Sequence, residues 1–75
     1  MLVELDNCVY STVRGSDVSR DGMFLELNRA GKSVAEVFFD DNTRKFTVSL
    51  FADNLPLSVL EKFFEEAKVD LPPKQ

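Results

Sequence analysis

The stretch Asp21-Gly22-Met23-Phe24-Leu25-Glu26-Leu27-Asn28-Arg29-Ala30-Gly31-Lys32-Ser33-Val34-Ala35-Glu36-Val37-Phe38-Phe39-Asp40-Asp41-Asn42-Thr43-Arg44-Lys45-Phe46-Thr47-Val48-Ser49-Leu50-Phe51 decides the fold. Apolar side chains recur at every second position, the period of a strand that lays one face on a core. Met23, Leu25 and Leu27 share one face of the first run. Ala35, Val37 and Phe39 share a face of the second, and Phe46, Val48 and Leu50 a face of the third. Ala30-Gly31-Lys32 and Asp40-Asp41-Asn42-Thr43 interrupt the alternation with residues that favour tight turns. Reversals this short join antiparallel neighbours, so residues 22–28, 33–40 and 44–51 read as a meander.

Working outward from that meander, residues 8–14 are β-branched and aromatic enough to form another strand. Residues 2–5 are either a separate short strand or the front of the same one, broken at Asp6-Asn7. Gly15 to Gly22 reads as a polar, mobile loop. Downstream, Pro56 suits a first helical position, with Asp53-Asn54 leading into it. Ser58 and Glu61 have capping-box spacing and offer a start two residues later. Leu57, Leu60, Phe63, Phe64, Ala67 and Leu71 form one apolar stripe, opposite Ser58, Glu61, Lys62, Glu65, Glu66 and Lys68. This predicts a helix over about 56–69, stopped by Pro72-Pro73, with a tail over 72–75. The expectation is a single α+β domain over 1–75. It is an antiparallel β-meander of three to five strands with one C-terminal amphipathic helix packed on one face.

Composition narrows the chemistry. The 75 residues include 9 Lys or Arg, 13 Asp or Glu, one Cys and no His, for a net charge of −4. Without histidine, the commonest general base and metal ligand are missing. Cys8 has no histidine to activate it, and its strand position makes it a small apolar residue. A free thiol suits a reducing, cytoplasmic setting. Ser58 and Lys62 share a helix face with glutamates, which reads as a solvated surface. Asp40-Asp41-Asn42-Thr43 lacks the glycine and terminal glutamate of a calcium loop, and no glycine pattern cradles phosphate. The expectation is a non-enzyme without metal or cofactor. No apolar run is long enough to span a membrane, and the start resembles no signal peptide. Arg14, Arg20, Arg29, Lys32, Arg44 and Lys45 fall near strand ends or in loops, but carboxylates stand close to most of them and the net charge disfavours nucleic acid.

The outer sheet face carries the functional reading. With the apolar rows under a helix, the pleat sends Phe24, Glu26, Val34, Glu36, Phe38, Thr47, Ser49 and Phe51 outward. One helix cannot cover both faces. The N-terminal strands fold across this surface, two copies stack on it, or a partner docks there.

Leu25-Glu26-Leu27, Gly31, Val34-Ala35-Glu36-Val37-Phe38, Leu55-Pro56-Leu57, Leu60-Glu61 through Phe64 and Leu71-Pro72-Pro73 carry one further signal. Over residues 25–73 the chain resembles short uncharacterised bacterial proteins of similar length. That resemblance implies a bacterial source and no particular activity.

Three functional classes follow. The first is a small acidic, non-catalytic module that binds another protein, with an inhibitor or immunity-type protein against a basic partner fitting its size and charge. In it Glu26, Glu36, Asp40 and Asp41 steer the partner, and Phe24, Phe38 and Phe51 anchor it. The second is a structural homodimer joined through the same face or a strand edge. The third is a nucleic-acid module, recognisable by binding that weakens steeply with salt.

Overall fold

The computed structural model describes residues 1–73. Along the chain come β1 (Leu2–Leu5), β2 (Cys8–Asp17), β3 (Gly22–Arg29), β4 (Lys32–Asp40), β5 (Lys45–Leu50) and α1 (Leu57–Asp70). The strands form one antiparallel sheet in the order β1-β2-β3-β4-β5, with α1 on one face. The α+β meander read from the alternation is the architecture observed.

The turns explain the order. Asp6-Asn7 and Ala30-Gly31 each place two consecutive residues at positive φ between paired strand ends, the geometry of two-residue hairpins. Residues 2–14 are therefore two strands, reversed at Asp6-Asn7. The β4–β5 turn is held by the Asp40 carboxylate, which accepts hydrogen bonds from the backbone N–H groups of Asn42 (2.8 Å) and Thr43 (3.2 Å). The β2–β3 and β4–β5 turns lie at the same end of the sheet, where the Asp41 N–H donates to the Asp21 carbonyl.

Half of the expected loop over 15–22 is strand. β2 runs on to Asp17, with Gly15, Ser16 and Asp17 paired to Phe24, Met23 and Gly22. Glycine hid this continuation, because Gly15 reads as a breaker but serves as a seat for the Phe24 ring.

Leu25, Leu27, Ala35, Val37 and Phe39 are buried against Val59, Phe63, Ala67 and Leu71 of the helical segment. The helix begins at Leu57, with Pro56 as its N-cap and no side-chain cap, so the Ser58–Glu61 box is not the start. Leu57 is exposed and Val59 is buried, which rotates the stripe relative to the expected one. Leu71 closes the helix, its N–H donating to the Ala67 carbonyl. Of the expected tail, Pro72 and Pro73 follow the helix, and residues 74–75 lie outside the described residues.

Two inward–outward assignments differ from simple alternation. Val34 is buried in the core rather than outward. A register shift pairs Leu27 with Ala35 but Asn28 with Ser33, leaving Val34 as an extra residue that turns inward beside Ala35. On β5, Phe46, Val48 and Leu50 are 40%, 50% and 57% exposed instead of sitting under the helix. The reason is width. Five strands about 4.8 Å apart span roughly 20 Å between their outer axes, whereas a helix with its side chains is about 10–12 Å across. The N-terminal hairpin draws α1 to its own side: the Met1 ammonium lies 3.0 Å from Glu66 Oε1, and Thr12 donates to Glu66 Oε2 at 2.9 Å. Beyond β4, the sheet is uncovered.

Candidate partner-binding surfaces

The outer face was the expected platform, and its two central rings have local partners. Phe24 and Phe38 stand directly across β3 and β4. Phe24 lies over Gly15, where a Cβ would fall 2.6 Å from its ring tip. Phe38 lies over Gly22, where a Cβ would meet a ring carbon at 2.5 Å and the Phe39 carbonyl at 2.2 Å. Each ring thus occupies space that only a glycine leaves free.

Arg20 closes the site from above. Its guanidinium sits 4.2 Å from the Phe38 ring centroid. Two of its nitrogens donate to the Glu36 carboxylate at 3.1 Å each, and its Nε donates to Asp17 Oδ2 at 2.6 Å. This paired geometry fixes the plane of the guanidinium over the ring. The hydrogen bond from Arg20 holds the Asp17 carboxyl below its ordinary value. Bonds to Glu36 and Asp17 raise the already high pKa of Arg20.

Phe38 is therefore buried at 7% exposure and Phe24 is half-buried, while Phe51 is 60% exposed. The expected trio of exposed anchors is corrected to one, because glycines and a folded-back arginine shield the other two. Glu26 and Glu36 face each other across the sheet, and Glu36 is occupied by Arg20. Asp40 is committed to its turn. Asp41 lies elsewhere, on a 540 Å³ cleft at the end of α1, where Arg14, Arg44, Asp41 and Asp70 mix both signs of charge. The structure brings together Phe24, Glu26, Glu36 and Phe38, with Asp40 next along the same strand but committed to its turn, and leaves Phe51 and Asp41 apart.

The uncovered apolar surface is on β5. Phe46, Val48 and Leu50 line its helix-side face, and Phe51 follows at its end. Between β5 and α1 runs an open groove of about 250 Å³, formed by Val37, Phe46, Val48, Phe64, Ala67 and the Lys68 side chain. Phe46 packs on Phe39 with the rings tilted at 58° and their centroids 5.0 Å apart.

β5 is also a sheet edge. The Phe51 N–H donates to the Val34 carbonyl at 2.9 Å, continuing the β4–β5 register. In an antiparallel pair, N–H and C=O of one residue point the same way and alternate along the strand. Residues 45, 47 and 49 thus address β4, and the backbone groups of Phe46, Val48 and Leu50 face away from the sheet. The opposite edge is different: β1 has only four residues and includes Glu4, two of the devices that discourage edge pairing. Between Phe46 and Leu50 there is no charge, proline or bulge.

Arg20 and β5 were the features that residue-by-residue reading missed. Arg20 had a signal, an arginine three residues after Asp17 and two before a glycine. The exposure of β5 had none until the strands were counted. Among the described residues, no group of three or more carboxylates or thiols comes together as a metal site, and no helix is long and apolar enough to cross a membrane. Comparison with family models, curated proteins and solved structures yields no match.

Proposed function

We propose that this chain is a non-catalytic protein-binding module that docks its partner by strand addition along β5. The partner's backbone takes the outward N–H and C=O groups of Phe46, Val48 and Leu50, and its apolar side chains enter the groove against α1. One observation carries this reading: the charge-free part of an edge strand, Phe46 to Leu50, coincides with an exposed apolar row. The acidic residues support it less, since Glu36 and Asp40 already have intramolecular partners.

Photo-crosslinking inside the cell tests the surface. A photoreactive phenylalanine analogue at position 48 is compared with one at position 9, because Val48 and Val9 are equally exposed, at 50% and 49%. The expected outcome is a discrete protein adduct from position 48 and none from position 9. Equal labelling at both positions, or no protein adduct at 48, contradicts the proposal.

A further inference from the structure

Resting on the strand-addition reading above, we propose that the occupant of the β5 edge is a second copy of this chain, paired antiparallel with Val48 on the two-fold axis. A two-fold axis normal to a sheet keeps each side chain on its own face, so paired positions must have the same parity. Placing Val48 opposite Val48 of the second copy puts Phe46 opposite Leu50 and Thr47 opposite Ser49. Shifting the centre to position 47 or 49 leaves one of the three outward-facing residues without a strand partner. Only the Val48-centred register pairs all of them, each exchanging hydrogen bonds with its opposite.

The side chains agree with this register. On the helix side, Phe46, Val48 and Leu50 of both copies form one continuous apolar row joining the two grooves. On the other side, Thr47 and Ser49 set hydroxyl against hydroxyl. Charge is complementary where a chain of net charge −4 would otherwise repel its copy. β5 contains no acidic residue. Its single charged side chain, Lys45, falls opposite Phe51, with Asp53 of the other copy just beyond. Acidic edges elsewhere would bring carboxylates together: a β1–β1 pairing carries Glu4 from each copy into the seam.

Area sets the strength. The exposed parts of Phe46, Val48, Leu50 and Phe51 leave roughly 300 Å² of apolar surface per chain. With the strand backbone added, two copies bury on the order of 1,000 Å², the lower limit for a specific interface. The dimer therefore dissociates in about the micromolar range and responds to concentration.

Sedimentation of the purified chain between about 1 µM and 1 mM tests this, read with Val48→Asp and Val9→Asp. The parent is expected to pass from monomer to dimer within that range. Val48→Asp places two carboxylates on the axis and is expected to weaken the dimer at least about 100-fold, the size of two unpaired buried charges. Val9→Asp is expected to dimerise like the parent. Melting at the lowest concentration should be the same for Val48→Asp and the parent, which separates lost pairing from lost folding. Should Val48→Asp fail to fold, Val48→Lys takes its place with the same expectation, since it sets two ammonium groups on the axis. In the dimer, amide exchange slows at Phe46, Val48 and Leu50. A parent that stays monomeric throughout, a dimer indifferent to charge at position 48, or a dimer with those amides unprotected overturns the proposal. If the parent is monomeric but position 48 still crosslinks to a different protein in the cell, the second copy is wrong and the docking surface stands. If neither occurs, both fail.

Discussion

The two aromatic surfaces of this sheet differ in what lies above them. On the outer face, Phe24 and Phe38 rest on glycines, and the Arg20 side chain folds over Phe38 and is gripped by Asp17 and Glu36. On the helix side, Phe46, Val48 and Leu50 point the way a core strand should, yet α1 ends short of them. The lesson is that pleat direction decides which face a side chain joins, while burial depends on whether neighbouring atoms reach it. A few residues close one surface, and a whole helix fails to close the other.

The comparison is sharpest in stability. Phe38→Ala should cost about 3–5 kcal/mol, as expected for a buried ring. Phe51→Ala and Val48→Thr should stay within about 0.5 kcal/mol at low protein concentration. Urea unfolding of the three variants checks this, and comparable losses at 38 and 51 would break the contrast. Gly22→Ala comes next. Its new methyl would meet the immovable Phe39 carbonyl as well as the Phe38 ring, so a loss of about 1–3 kcal/mol is expected. Gly15→Ala should cost less, because its obstacle is the far end of the Phe24 side chain. Thermal melting of both variants ranks them.

Acid gives a smaller effect. Asp17 has its pKa lowered in the folded chain, so its contribution is fully present above the ordinary aspartate value and disappears as pH falls through the folded one. Melting temperature should therefore decline as pH falls below the ordinary aspartate value, and less steeply in Asp17→Asn. Identical slopes would mean that Asp17 does not hold Arg20 in place.

Much of this was legible from the residues. Period two in 22–51 and the helical stripe from Leu60 to Leu71 reflect burial on one face, and both elements formed where that signal lay. Val34 was not legible, because one extra residue in β4 reverses its direction without altering composition. β5 was misassigned to the core because helix coverage depends on the number of strands and on the Met1–Thr12–Glu66 contacts that pull α1 toward β2. The closed outer face was hidden in Gly15 to Gly22, whose turn-like composition masks two strand residues that seat aromatic rings and one arginine that covers them. Of the proposed anchors, only Phe51 kept the exposure read from the sequence.

Hydroxyl-radical footprinting of the dilute monomer tests the difference between the two surfaces most directly. The expected result is rapid modification of Phe46 and Phe51, with Phe38 protected until Arg20 is replaced by alanine. Modification of Phe38 as fast as Phe51 in the unaltered chain, or protection of Phe46 at that dilution, would contradict the account.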